Sequence, residues 1–529
     1  MTFLRARLLL FTLFLTGYSA AGARKPNIIL IMTDDMGYSD LGCFGSEIKT
    51  PNLDALAEKG VRLSSFYNFG KCCPTRAGLM TGLYNHQAGV GDMTGDEGFP
   101  GYRGRLNDQC RTIGEVLKKA GYQTIQTGKW HLGAKQKSWW PQHRGFDQTF
   151  GCPLGGGFYF RPSAFHSYRE IMRNETVLYT PKIDPPEGFY TTDAYTDEGL
   201  VFAREALEKK EPFFWYLAYN APHWPLRAKP ADIAKYRDTY RKGWDQIRRD
   251  RHAKLIKLGL IDEAWELSPR GKKVPAWDKL TPEERDRQAK FMAVYAAMID
   301  CVDQNVGKIV AELKSSGAYE NTLIIFICDN GGGDEKGLMG INTARGKGRD
   351  EFGSADSFIY PGRAWANVSN VPFRRYKSNL HEGAIATPFI AHWPSGIPKP
   401  QQGSISRETA HIIDIMPTCL EISQAKYPTT IDGRQIYPLS GTSLLPILKG
   451  IPFGRSSPLF SEYKGNRMVR EGKWKLVSDK NRPWELYNME KDRTELHNLA
   501  DKNPHQVDSL AKKYQTWAKK HSVIKKRTK

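Results

Sequence analysis

Three runs in this 529-residue chain stay apolar almost from end to end: residues 27–32, 213–219 and 322–328. They read Asn-Ile-Ile-Leu-Ile-Met, Phe-Phe-Trp-Tyr-Leu-Ala-Tyr and Thr-Leu-Ile-Ile-Phe-Ile-Cys. A strand with one wet face alternates apolar and polar residues. A strand this uniform must be covered on both faces, as the central strands of parallel sheets are. Each run also ends in polar residues: Thr33-Asp34-Asp35-Met36-Gly37, then Asn220-Ala221-Pro222-His223-Trp224-Pro225, then Asp329-Asn330-Gly331-Gly332-Gly333. In open α/β sheets ligands bind beyond the carboxyl ends of the strands. Adjacent carboxylates such as Asp34 and Asp35 are costly there unless they hold a cation, the alternative being an exposed acidic turn. Asp34, Asp35, Asp329 and Asn330 together offer hard oxygen ligands suited to Ca²⁺ or Mg²⁺.

The intervening chain alternates in the same way. Helices are expected over 53–59, 113–120, 196–209, 291–315 and 410–422, and strands over 61–67, 122–127 and 387–392. The strand at 122–127 delivers Gly128-Lys129-Trp130-His131-Leu132-Gly133. Lys129 and His131, two apart in extended chain, point the same way. Residues 72–82 begin Cys72-Cys73-Pro74-Thr75-Arg76, and Pro74 pre-sets a first helical turn. Cys72 is then either a nucleophile presented to an anion at a helix N-terminus or a buried cysteine before an ordinary helix. Arg76, one turn on, can point back to the same spot. Lys377, in Arg374-Arg375-Tyr376-Lys377, is a second lysine at the same edge. A Gly- and aromatic-rich loop over 151–165 is a possible substrate rim. Trp139, Trp140, Phe158, Tyr159 and Trp224 are its candidate aromatics, with ordinary packing the alternative for each.

Residues 227–287 read as a charged helical insertion. Its Arg237, Arg241, Arg248, Arg249 and Arg251 are expected on a solvated face, because no groove-reading motif supports a nucleic-acid partner. Beyond about residue 440 the pattern changes to short strands over 459–464, 468–471, 474–478 and 485–488, then a helix over 504–520. The expected fold is α/β: a large mixed, mostly parallel sheet sandwiched by helices, with a smaller C-terminal α+β unit built on an antiparallel sheet. The expected division is 24–440 and 441–529.

Residues 1–23 have the form of a secretory signal peptide: Arg5 and Arg7, an apolar run too short to span a membrane, and Ala21-Gly22-Ala23. Export to a periplasm or the exterior is expected, with no membrane anchor. The eight cysteines form neither a disulfide scaffold nor a zinc pattern, and no pairing is assigned. Formal net charge is +20, or +18 without Arg5 and Arg7. Such a surface attracts anionic ligands, sulfated or carboxylated polysaccharides among them.

Cys72-x-Pro74-Thr75-Arg76 followed by Leu79-x-Thr81-Gly82 resembles the maturation signature of the type I, formylglycine-dependent sulfatases. Gly128-Lys129-Trp130-His131-Leu132-Gly133 resembles their second signature. The resemblance runs from about residue 26 to about residue 500 and is greatest to bacterial arylsulfatases of the alkaline phosphatase-like superfamily. It implies a sulfuric ester hydrolase acting on aryl sulfates or sulfated carbohydrates. It implies that a separate formylglycine-generating enzyme oxidises Cys72 to 3-oxoalanine, and that the hydrated aldehyde is the nucleophile. It implies Ca²⁺, or Mg²⁺, on Asp34, Asp35, Asp329, Asn330 and residue 72. Arg76 and Lys129 would hold the diol, His131 would take a proton from it, and His223 and Lys377 would bind sulfate and assist the leaving group. The rival readings are a phosphomonoester or phosphonate hydrolase of the same superfamily and an inactive sulfoglycan-binding homologue.

Overall fold

The computed structural model describes residues 24–155, 158–162, 170–480 and 482–524. The expected signal peptide lies outside the described residues, as do parts of the 151–165 loop and the end of the basic tail. No helix among the described residues is long and apolar enough to cross a membrane.

The three apolar runs form the centre of a ten-stranded sheet. Its strands are β1 (Asn27–Thr33), β2 (Val61–Leu63), β3 (Gln123–Lys129), β4 (Gln148–Cys152), β5 (Ile171–Arg173), β6 (Thr176–Tyr179), β7 (Phe213–Ala218), β8 (Thr322–Cys328), β9 (Ile390–His392) and β10 (Ser404–Ser406). The spatial order is β10-β2-β9-β8-β1-β7-β3-β4-β5-β6. The strands from β8 across to β4 are parallel, with Leu30 beside Tyr216 and Ile325. β9 runs antiparallel to both its neighbours, and β5 and β6 add an antiparallel edge. Every residue of β1, β7 and β8 is buried, as strands without a polar face require.

Two helix groups cover this sheet. One is α1 (Pro51–Glu58), α4 (Thr191–Glu208) and α6 (Pro282–Ser315), and the other α2 (Cys72–Thr81), α3 (Ile113–Lys119) and α8 (Ile415–Ser423). Two boundaries differ from expectation for local reasons. α6 starts at Pro282 because Thr281 and Glu284 form a capping box there. The expected 410–422 helix starts later because the Asp414 carboxylate accepts the His411 N–H, and Ala410–His411 pairs as a strand with Phe66–Tyr67. That pairing also splits the expected 61–67 strand between two sheets. The β5–β6 hairpin was not expected from the sequence, since neither strand alternates cleanly.

The insertion corrects a further expectation. Its main helix, α5 (Gly243–Lys257), is not a wholly solvated face, for Arg248 and Arg251 are buried. Arg251 reaches Asp40 at 2.6 Å and Glu47 at 2.7 Å. Arg237, Arg241 and Arg249 are exposed, as expected.

After the short helix α7 (Gly362–Ser369) and α8 come four antiparallel strands: β11 (Leu459–Tyr463), β12 (Asn466–Glu471), β13 (Trp474–Ser478) and β14 (Glu485–Asn488). The last helix, α9 (Pro504–Lys520), packs on β12 and β13. A buried ionic cluster joins this sheet to the α/β part. Lys475 bridges Glu382 at 2.7 Å and Glu495 at 2.8 Å. Arg493 and the Tyr67 hydroxyl both donate to Glu382 Oε2 at 2.9 Å. Each charge there meets an opposite one, so none is stranded in a low-dielectric interior.

Candidate active site

The carboxyl ends of β1, β3, β7 and β8 bring the expected residues together. Asp34 and Asp35 follow β1, Lys129 ends β3, His223 follows β7, and Asp329 and Asn330 follow β8. Cys72 is the first residue of α2, and Lys377 comes from the segment after α7. All of them are buried.

Charges alternate in sign around the site. Lys129 Nζ stands 2.5 Å from Asp34 Oδ2, and Lys377 Nζ 2.5 Å from Asp35 Oδ1. Arg76 places Nε and Nη2 on Asp329 Oδ2 at 3.0 and 2.8 Å. Its Nη1 donates to the Lys129 carbonyl and to the Tyr216 hydroxyl. Arg76 therefore points at Asp329, tying α2 to β8, rather than back at Cys72 as helix spacing had suggested. Asn330 Nδ2 donates to Asp35 Oδ1 at 2.7 Å. His223 Nε2 lies 3.5 Å from Asp35 Oδ2, and its Nδ1 bonds the Trp224 carbonyl.

The pKa shifts follow from this arrangement. Burial raises the Asp34 pKa, but Lys129, His223, Arg76 and Lys377 outweigh it and hold Asp34 below the usual carboxylate range. Asp329 is pushed well up, by burial and by the nearby charge of Asp34. Burial and then Lys129 lower His131 to about 4, which keeps its ring neutral. Burial likewise lowers His223. A hydrogen bond from Cys73 pulls the Cys72 thiol well below its ordinary value, helped against burial by Lys129, His131 and Lys377. A residue at position 72 thus sits in a cationic, anion-seeking environment.

His131 does not continue an extended strand beside Lys129. Its φ is 65°, and this left-handed turn is what swings the ring toward Cys72. A Cβ on Gly155 would lie 2.2 Å from His131 Cε1, so only glycine leaves the ring its place.

The oxygen set fits a hard cation. Asp34 Oδ1, Asp35 Oδ2 and Asn330 Oδ1 are shut away from solvent without a hydrogen-bond partner. Asp34, Asp35 and His223 also present ligand atoms within 4.8 Å of one another. Buried oxygens left bare in this way are what an oxygen-coordinated divalent ion satisfies. Asp329 offers less, since its Oδ2 is taken by Arg76 and its Oδ1 faces the Asp35 N–H at 3.4 Å.

Of the candidate rim aromatics, Phe158 and Tyr159 are buried, and the Tyr159 hydroxyl donates to the carbonyls of Asn220 and His223. Trp139 and Trp140 are half-buried and anchor the segment after His131, their contacts being with Trp130 and Ala134. Trp224 also adjoins His223, its ring 4.8 Å from the imidazole. Two residues of the site escaped the sequence reading. Tyr216 is hidden inside an apolar run and leaves no signal. Glu335 stands after Asp334 in the short charged stretch past the Gly331–Gly333 turn, and that stretch could have pointed to it.

Comparison with known proteins gives the family. Residues 26–425 match the Sulfatase family, and residues 374–521 match the family described as N-sulphoglucosamine sulphohydrolase, C-terminal. The chain belongs to the sulfatase family. It is 36% identical to the arylsulfatase of Klebsiella aerogenes over 450 residues, covering 82% of this chain and 94% of that one. It is 35% identical to an uncharacterized sulfatase of Schizosaccharomyces pombe over 532 residues, covering 95% of each. Among solved structures, Ps i-CgsB matches with a TM-score of 0.68 and 28% identity over 93% of each chain, and has also been crystallised with k-i-k-neocarrahexaose. This chain is therefore a sulfatase enzyme.

Proposed function

We propose that this sulfatase hydrolyses sulfate esters of aromatic alcohols or carbohydrates through an oxygen nucleophile made from Cys72. The observation that carries the reading is the convergence of Lys129, Lys377 and His131 on residue 72, beside buried carboxylates with bare oxygens that His223 adjoins. Cys72 as encoded is a precursor, which a maturation enzyme oxidises to formylglycine. The hydrated aldehyde carries two hydroxyls on one carbon. A plain serine would be trapped as its own sulfate ester, whereas the second hydroxyl allows sulfate to be expelled as the aldehyde re-forms.

The residues divide this work. Asp34, Asp35, Asp329, Asn330 and residue 72 would hold Ca²⁺, with Mg²⁺ the alternative, and such an ion supplies Lewis-acid charge to the sulfate. Lys129 and Arg76 offset negative charge around residue 72. Lys377, held as an ammonium, and His223, oriented by its Trp224 hydrogen bond, bind sulfate and stabilise the departing oxygen. Neutral His131 takes the proton of the second hydroxyl. The balance is one ester and one water consumed, one alcohol and one hydrogen sulfate released. The basic composition and the carbohydrate-bound relative support a sulfated saccharide as the natural substrate. Export by a signal peptide in residues 1–23 belongs to the same proposal, as does a division into a catalytic part, 24–440, and a supporting part, 441–529.

The test is sulfate release by protein co-produced with a formylglycine-generating enzyme, on an aryl sulfate and a panel of sulfated sugars. Turnover by the wild type and its near-abolition by Cys72→Ser are expected. Activity retained by Cys72→Ser, or hydrolysis of phosphate esters alone, contradicts the proposal.

A further inference from the structure

One carboxylate beside the site has no part in the chemistry above. Glu335 Oε1 stands 3.8 Å from Lys377 Nζ, but that ammonium is committed to Asp35 at 2.5 Å. The neighbouring Asp334 is paired with Arg363 at 3.0 Å. Glu335 Oε2 is shut away from solvent and accepts no hydrogen bond, although the side chain as a whole is 28% exposed. A Cβ on Gly333 would lie 2.2 Å from Glu335 Oε2 and 3.4 Å from Asp35 Oδ2. Gly333 thus leaves room for Glu335 Oε2 to pack against the backbone on the side where Asp35 Oδ2 lies. Glu335 stands outside the group of ligand atoms formed by Asp34, Asp35 and His223.

An aromatic arc leads from His223 to Lys336, the residue that follows Glu335. The Trp224 ring is 4.8 Å from His223, the Tyr360 ring is 4.6 Å from Trp224, and Lys336 Nζ is 5.6 Å from the Tyr360 ring. Lys336 is the next residue after Glu335. A ring, phenyl or pyranose, laid along such an arc would lie beside the turn that carries Glu335 and Lys336.

We propose that Glu335 is the acceptor for a substrate hydroxyl adjacent to the scissile sulfate. The sulfatase then selects esters whose leaving group carries a free hydroxyl there, as sugar diols and catechols do. A bare buried carboxylate oxygen costs free energy until a donor reaches it. A hydroxyl supplies that donor, and a second sulfate at the same position is repelled. The proposal names the substrate class of the site described above and rests on that reading.

The probes are phenyl sulfate, 2-hydroxyphenyl sulfate and 2-methoxyphenyl sulfate, the last matching the second in shape without a donor. With matured wild type, kcat/KM for the hydroxyl ester should exceed the other two by about tenfold or more, the discrimination that one hydrogen bond to a charged group supplies. Glu335→Ala should bring that ratio toward one, and the isosteric Glu335→Gln, which still accepts but without charge, should fall between. An unchanged ratio in both variants overturns the proposal. So does an equal fall for all three esters, which would make Glu335 a support for Lys377. If matured wild type releases sulfate from none of these esters and from no sulfated sugar, it is the proposed function itself that fails.

Discussion

Arg76 and Asp329 form a buried pair in which Nε and Nη2 of the guanidinium both bond one oxygen, Oδ2, at 3.0 and 2.8 Å. The pair joins the first helical turn after Cys72 to the end of β8, so the position of residue 72 depends on it. Removing one partner strands the other charge. Arg76→Ala should lower the unfolding free energy by about 3–5 kcal/mol, and Arg76→Ala with Asp329→Asn should recover part of that. Urea unfolding of the two variants against wild type measures the difference. Equal stability of Arg76→Ala and wild type would show that the pair does not hold α2 in place.

The bare oxygens of Asp34, Asp35 and Asn330 predict stabilisation by a hard divalent ion. Ca²⁺ at about 100 times its dissociation constant should add about 2.7 kcal/mol to wild type by mass action. Chelation should remove both the increment and the activity. In Asp35→Asn the increment should shrink, because one ligand oxygen loses its charge. Thermal unfolding with and without Ca²⁺ and chelator reads this directly, and an identical increment in both proteins would place the ion elsewhere.

The ionic cluster under β13 predicts a local weakness. Lys475→Met leaves Glu382 and Glu495 without the cation they share at 2.7 and 2.8 Å. The expected loss is about 3–5 kcal/mol, measured by denaturant midpoint. A loss under about 1 kcal/mol would show that Arg493 compensates for both carboxylates.

Two buried histidines far along the chain from Cys72 predict an acid limit to stability. Burial lowers His392 to about 4, with Lys59 and Lys314 acting in the same direction and the Leu56 carbonyl opposing. Burial and then Arg455 lower His411 well below its ordinary value. Both pKa values fall below the unfolded value, so the unfolded chain binds more protons in this window. Stability therefore falls as pH drops from about 6.5 toward 4, by up to about 3 kcal/mol for His392 alone. Asp303, raised to about 6 chiefly by burial, contributes in the opposite direction. The informative quantity is thus the difference between wild type and His392→Gln, which should narrow as pH falls from 7 to about 4.5. A difference independent of pH would contradict the assignment.

The sheet was legible because strands covered on both faces cannot alternate. The runs at 27–32, 213–219 and 322–328 announced β1, β7 and β8, and the polar residues at their ends announced Asp34, Asp35, His223, Asp329 and Asn330. What was not legible depends on contacts between distant segments. Nothing local to Arg76 says that it turns to Asp329, 253 residues away. Arg251 has the sequence context of a solvated arginine, yet Asp40 and Glu47 draw it inside. His131 was read as extended chain, and only the packed structure reveals the left-handed turn that aims it. Asp334-Glu335-Lys336 has the local pattern of a solvated charged turn, and only the contact with Lys377 singles out Glu335.

The account turns on residue 72. Lys71 and Arg76 bound a short tryptic peptide, Cys72-Cys73-Pro74-Thr75-Arg76, and its mass in catalytically active protein is the most direct test. The prediction is that residue 72 has lost its thiol sulfur and gained an aldehyde oxygen, while Cys73 keeps its thiol. Full sulfatase activity in a preparation whose peptide carries two unmodified thiols would contradict the account.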